Sequence, residues 1–149
     1  KRYDERLAGL PVLTPLVREH CEHVYHQYSI LCDRRDELIA HLRERGVEAG
    51  VYYPIPLHLQ TCFRDLGYRV GDLPITEATC SRILSLPCHP MLAEGDVDYV
   101  AECIAEFFAG CANGPIVECD AARVVPGASV GGPPHRDSTV SAGQRGLRV

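Results

Sequence analysis

Lysine is almost absent from this sequence, which has a single one, Lys1, beside fourteen arginines. Chemistry that needs a lysine amine held in a buried pocket therefore has no candidate in the body of the chain. Tryptophan is absent, and the only methionine is Met91. A chain that begins with Lys1 cannot be a complete translation product that retains its start residue, so we expect further sequence upstream.

The sequence also lacks long apolar runs and an excess of basic residues. No stretch approaches the roughly eighteen apolar residues that a membrane-spanning helix needs, and the N-terminal KRYDERLAGL lacks an apolar signal core. The net charge of −5 and the pI of about 5.8 offer no basic surface for nucleic acid. With 149 residues and 46% apolar content, we expect one globular core in a soluble, cytoplasmic protein.

The eight cysteines contain no CxxC pair, which removes the spacing typical of zinc ribbons. Without a signal peptide we expect reduced thiols, several of them acting as small buried apolar groups.

The first half of the chain predicts a helix, a strand and a second helix. The first helix ends at Gly9, and the aromatic and β-branched run from His23 to Cys32 predicts a strand. Asp33 is placed to cap the next helix, which Gly46 ends. VEAGVYYPIP, residues 47–56, predicts a second strand ended by its prolines, which cannot donate to a β-ladder.

The second half predicts a short helical turn in residues 57–68, a helix from Pro74 to about Leu84 and an extended SLPCHP. Apolar residues spaced by three and four positions predict an amphipathic helix from Glu94 to Phe108. The resulting fold class is α/β, with helices packed on a small antiparallel or mixed sheet. We expect residues 1–109 to form the domain and residues 110–149, rich in Gly, Pro, Ser and Arg, to form a disordered tail.

The string EHCEHVYHQYSILC, residues 19–32, raises the question of a metal site. A zinc-binding protein could use His20, Cys21, His23 and His26. In an extended strand, however, these side chains alternate between faces, and His20 and His26 lie roughly 20 Å apart. The alternatives are that the string has no function, or that His26 and Tyr28 present polar groups to a cleft.

A second candidate for a binding surface is GVYYPIPLHLQ, residues 50–60. The two prolines stiffen the turn and hold Tyr53 and His58 in a fixed relation, and stiff loops at strand ends often carry binding groups. A surface histidine without function is the alternative for His58.

Together these segments resemble a known family. RYDERLAGL, HVYHQYSI, YPIPLHLQ, LGYRVGDLPITE and LSLPCHP, in unbroken order over residues 1–109, look like the C-terminal small domain of the DegT/DnrJ/EryC1/StrS family. The resemblance implies a fold type I aminotransferase, a homodimer that uses pyridoxal 5′-phosphate (PLP) to convert nucleotide-linked keto sugars to amino sugars, with glutamate or glutamine as donor.

The resemblance also implies how the work is divided. In that family the large domain supplies the Schiff-base lysine and most cofactor contacts, so this chain should contain no catalytic residue and should be inactive alone. Tyr53 and His58, followed by His26 and Tyr28, match positions expected to contact the substrate. Tyr52 departs from the family, which often has histidine there. A non-catalytic interaction domain that pairs with a separate large-domain chain is the alternative function.

Overall fold

The computed structural model describes residues 1–110. Two strands and four α-helices are present in this range, with two short 3-10 helices between the second and third α-helix. In chain order the elements are α1 (Arg2–Arg6), β1 (Tyr28–Leu31), α2 (Arg35–Glu44), the 3-10 helices Leu57–Leu59 and Thr61–Leu66, α3 (Pro74–Arg82), β2 (Ile83–Leu86) and α4 (Glu94–Ala109).

The two strands form an antiparallel sheet in which Ile30 lies opposite Leu84. Each strand has one further partner at its outer edge. Leu13 exchanges two main-chain hydrogen bonds of 3.0 Å with Leu31 of β1. Gly50 exchanges bonds of 2.9 and 2.8 Å with Ser85 of β2. The expected fold class, helices packed on a small antiparallel sheet, is confirmed.

The core lies between this sheet and the helices. Helix α2 contacts both β2 and α4, and α1 packs on α4. Five side chains from these elements are completely buried: Ile30, Leu38, Leu42, Leu84 and Ile104. Alternate residues of β1 and every third or fourth residue of α2 and α4 point into this core, which is the pattern that amphipathic elements produce.

Two helix ends follow rules that can be seen in the sequence. Gly46 adopts φ +74°, the left-handed conformation that glycine takes without steric cost. It allows the Val47 N–H to reach the Leu42 carbonyl at 2.9 Å and its own N–H to reach Arg43, a Schellman motif. At the start of α4, the Asp96 carboxylate accepts the Ala93 N–H at 2.9 Å.

Helix α1 is fixed to α4 by ion pairs between its arginines and an aspartate of α4. Arg2 and Arg6 each donate from Nε to Asp98 Oδ1 at 2.8 Å. The hydrogen bond from Arg2, followed by that from Arg6, holds the pKa of Asp98 well below its usual range. The Tyr3 hydroxyl adds a bond of 2.9 Å to the Pro87 carbonyl. A five-residue helix too short to be stable alone is thus anchored by tertiary contacts.

The first strand is shorter than predicted. It begins at Tyr28, not at His23. Tyr25 has φ +47°, and the His23 ring accepts the Tyr25 N–H through Nδ1 at 2.8 Å. This local turn takes the main chain away from the extended conformation that its aromatic and β-branched composition favours.

Three further boundaries differ from the predictions. The predicted second strand is reduced to the single bridge at Gly50, and its partner β2 is itself only four residues long. Helix α3 ends at Arg82, since Ile83 and the residues after it pair with β1. Arg34 occupies the N-cap of α2, and Asp33 instead forms an ion pair with Arg82 at 2.5 Å.

The predicted tail falls almost entirely outside the described residues. In residues 1–110, no helix is both long and apolar enough to cross a bilayer. The cysteines at 32, 80 and 103 are buried thiols.

Shortening a buried side chain at the centre of the sheet tests this packing. We expect Leu84→Ala to lower the free energy of unfolding by about 2–5 kcal/mol, because it leaves a cavity between β1 and the helices. Urea unfolding followed by circular dichroism measures the change. Val24→Ala, at a side chain that is 90% exposed, is the control. Equal stability of the two variants would contradict this description of the core.

Candidate functional site

A cleft of about 560 Å³ opens beside the outer edge of β2. Segments that are distant in sequence form its walls: the turn before β1, the side of α2 that carries Ile39 and Arg43, the stretch around Gly50 and the loop after β2. Its polar side chains are those of His26, Gln27, Arg43, Glu48, Tyr52, Ser85, Cys88 and His89.

The single bridge between Gly50 and β2 builds the floor of this cleft. Ser85 is buried there, and its hydroxyl shares a hydrogen bond of 2.7 Å with the Ser29 hydroxyl of β1. A side chain at Gly50 would lie 3.5 Å from the Tyr52 ring. Tyr52 therefore folds back over Gly50 and turns its ring into the cleft wall.

The structure places His26 on this cleft. The side chain is exposed, and it follows the turn made by His23 and Tyr25. The loop beyond β2 is fixed near this turn because the Cys88 thiol donates to the Tyr25 carbonyl at 3.4 Å. His26 and His89 thus both line the cleft from neighbouring loops.

Tyr28 lies elsewhere, in the core. It is 3% exposed, and its ring packs against Tyr3 with centroids 4.7 Å apart. The Tyr28 hydroxyl donates to Asp4 at 2.5 Å. Burial is the largest cause that raises the pKa of Tyr28, and the bond to Asp4 comes next. The structure therefore does not bring Tyr28 to the cleft together with His26.

Tyr53 and His58 lie on the neighbouring loop, with different exposure. Tyr53 is 58% exposed and His58 is only 7% exposed. The His58 Nε2 lies 3.0 Å from Glu77 Oε1, and its ring meets the Tyr68 ring edge-on at 6.0 Å. Neither Tyr53 nor His58 is part of the cleft lining.

Sequence reasoning missed several residues that the fold brings to the cleft. Arg43 and Glu48 come from α2 and from the stretch after it, and His89 follows β2. The motif LSLPCHP gave a usable signal for His89, since loops that follow strand ends often carry binding residues. Nothing in the spacing of Arg43 or Glu48 distinguishes them from ordinary surface charges.

The side chains in residues 19–32 that suggested a zinc site do not converge on one point. His20 adopts φ +64°, so the main chain turns there as well as at Tyr25. Across residues 1–110, no three His, Cys, Asp or Glu side chains come together in a group that could hold a metal ion.

The cleft is suited to positioning a polar ligand through hydrogen bonds from imidazole, hydroxyl and charged groups. Covalent imine chemistry requires an amine, and the one lysine of the chain is the exposed Lys1. The described residues therefore do not fit a PLP aldehyde as an imine partner.

Proteins of known sequence show what class of molecule this is. Over 104 residues the chain is 48% identical to the pleiotropic regulatory protein of Geobacillus stearothermophilus, a match that covers 70% of this chain and 28% of that protein. Over 115 residues it is 36% identical to the dTDP-3-amino-3,4,6-trideoxy-alpha-D-glucose transaminase of Micromonospora megalomicea, covering 74% and 31%. The chain thus spans under a third of the length of these relatives.

The fold leads to the same class. The structure of S. venezuelae DesV in complex with a ketimine intermediate matches with a TM-score of 0.69 and 33% identity, over 71% of this chain and 29% of that one. The described residues therefore have the fold of one part of a sugar aminotransferase. The family model of the DegT/DnrJ/EryC1/StrS aminotransferases matches residues 1–105, and the chain belongs to this family.

Removing the Tyr28 hydroxyl tests its structural placement. Desolvation raises the pKa of Asp4, but the hydrogen bond from Tyr28 lowers it, and the net pKa lies below its usual range. We expect Tyr28→Phe to cost about 1–2 kcal/mol of folding free energy at pH 7. The difference should shrink in acid, since a lowered folded pKa stabilises the protein above the ordinary aspartate pKa and that contribution is lost as the pH falls.

Thermal unfolding of the wild type and Tyr28→Phe at pH 7 and pH 3 measures both effects. Tyr99→Phe is the matched control, because the hydroxyl it removes bonds a main-chain carbonyl, that of Arg45 at 3.0 Å, and not a carboxylate. A Tyr28→Phe difference that grows in acid would contradict the pairing with Asp4.

Proposed function

We propose that this chain is the small domain, residues 1–109, of a PLP-dependent aminotransferase that converts a nucleotide-linked keto sugar to an amino sugar. Membership of the family carries this proposal. It is supported by the names of its relatives, one of which is a dTDP-amino sugar transaminase. Glutamate or glutamine is the proposed donor, and the cytoplasm the proposed location.

The proposed division of labour follows from the chemistry of the side chains. PLP supplies imine chemistry when it is bound, and the lysine that holds it must come from the large domain, because this chain has no buried amine. The domain described here contributes positioning groups. Alone, it should not bind PLP as an imine and should not turn over substrate.

We place substrate contact on His26, Tyr53 and His58. His26 reaches the cleft, Tyr53 exposes its ring and hydroxyl, and His58 lies beneath the adjoining loop. Hydrogen bonds from His26 and Tyr53 would orient sugar hydroxyls toward the reacting carbon. In His58, Nε2 is bonded to Glu77, and Nδ1, which has no partner within the described residues, is the atom left for a substrate hydroxyl. Tyr28, also predicted from the sequence, would act only indirectly, because its hydroxyl is bound to Asp4.

The loop region also supplies a surface for a partner. Between residues 52 and 75 the chain exposes ten large apolar or aromatic side chains: Tyr52, Tyr53, Ile55, Leu57, Phe63, Leu66, Tyr68, Val70, Leu73 and Ile75. Soluble monomers rarely expose so continuous an apolar stretch. We propose that the large domain of the same enzyme covers it, in an enzyme that forms a homodimer.

The coding sequence upstream of the Lys1 codon tests the proposed enzyme. We expect an in-frame large domain that contains a lysine, because the imine requires an amine that this chain lacks. Sequencing the gene through this region gives the result. A stop codon followed by a local start would contradict the single-chain enzyme and favour an independent domain that pairs with a separate large-domain chain.

In the longer enzyme, His58→Ala tests substrate contact. We expect kcat/KM for the nucleotide sugar to fall at least about tenfold, the result of losing one polar contact to the transition state. The PLP absorption spectrum should not change. His20→Ala, in an exposed turn, is the control. Unchanged kinetics in His58→Ala would remove this residue from the site.

A further inference from the structure

One carboxylate joins three separate points of the loop region. Glu77, in the first turns of α3, accepts the Gly71 N–H at 2.9 Å on Oε1 and 3.0 Å on Oε2. The same Oε1 lies 3.0 Å from His58 Nε2 and 3.4 Å from the Leu73 main-chain nitrogen. Glu77 is thus the meeting point of the His58 turn and the turn that leads into α3.

The loop that Glu77 holds has little else to fix it. Every residue from 61 to 76 is exposed, so this stretch buries no side chain in the core. Its one ring contact to a buried group is that of Tyr68 with His58. Segments with few buried apolar contacts open at low free energy unless specific polar contacts restrain them.

His58 depends on the same carboxylate. Its Nδ1 is buried and has no hydrogen-bond partner within the described residues. A carboxylate can only accept, so Nε2 must carry the proton that bonds to Glu77. Burial raises the pKa of Glu77, but the bonds from Gly71, His58 and Leu73 outweigh it and the net pKa is lowered. Glu77 therefore stays charged and keeps this arrangement.

We propose that Glu77 is a positioning residue. It fixes the His58 ring with Nε2–H as donor and holds residues 57–73 against the domain. The hydrogen bonds of Glu77 to His58, Gly71 and Leu73 support this role in the structure. Its consequence for catalysis, a correctly placed His58 and loop, rests on the proposed function.

Nuclear magnetic resonance of the imidazole measures the first effect directly. In the 149-residue chain labelled with ¹⁵N-histidine, we expect a resolved Nε2–H proton for His58, since a buried hydrogen bond slows its exchange with water. His58→Asn assigns the signal. Glu77→Ala should abolish it, and Glu77→Gln, which retains one amide oxygen, should broaden it without abolishing it.

Tryptic cleavage measures the second effect. Arg64 and Arg69 lie in the exposed stretch that Glu77 restrains. We expect Glu77→Ala to increase cleavage after these residues about tenfold or more, the ratio that losing hydrogen bonds to a charged group predicts. The cleavage rate of Glu77→Gln should lie between those of the wild type and Glu77→Ala. Glu44→Ala, at an exposed site on α2, should cleave as the wild type does.

The outcomes separate the two proposals, because neither readout needs substrate. Loss of the His58 proton with faster cleavage supports the positioning role even if the chain proves to belong to no enzyme. An unchanged imidazole signal, or cleavage equal to that of Glu44→Ala, overturns it and leaves the aminotransferase proposal standing. A circular dichroism spectrum that matches the wild type guards against global unfolding of Glu77→Ala, and Glu77→Gln provides the test if that variant unfolds.

Discussion

Antiparallel pairing between β1 and β2 is the constraint on which the rest of the domain depends. Four residue pairs bring Ile30 and Leu84 to the centre of the core, where both are completely buried. Helices α2 and α4 cover this centre. The outer edges of the strands then fix the two loops at Leu13 and Gly50 by single bridges. The cleft opens beside β2 because, within the described residues, the chain pairs with the outer edge of this strand only at the single Gly50 bridge.

Much of this fold could be predicted because its signals are local. Gly46 ends α2 with a Schellman motif, and the apolar spacing in α4 marks its length within one residue of the prediction. The turn at Tyr25 could not be predicted, since it depends on the His23 ring accepting a main-chain N–H in a segment whose composition favours a strand. The ion pair of Asp33 could not be predicted either, because its partner Arg82 lies 49 positions along the chain.

The site was predicted less completely than the fold, and the reason is again sequence separation. His58 was predicted to contact the substrate from a stiff loop, with a surface histidine without function as the alternative. In the structure it is buried beneath that loop, where it is bonded to Glu77. The alternation that placed His26 and Tyr28 on one face applies only to a strand, and the strand begins at Tyr28. Arg43 and Glu48 reach the cleft only through tertiary packing. The family resemblance pointed to particular segments but could not indicate which of their side chains are buried.

The domain is therefore a stable core with a peripheral loop that polar contacts restrain, beside the proposed contact residues Tyr53 and His58. Native-state hydrogen exchange of the 149-residue chain tests this most directly. The account predicts slow exchange at Ile30 and Leu84, limited by global unfolding, and fast exchange from residues 61 to 70, with intermediate protection at Gly71, which donates to Glu77. Protection of residues 61–70 equal to that of the strands would contradict it, since the loop would then belong to the cooperative core.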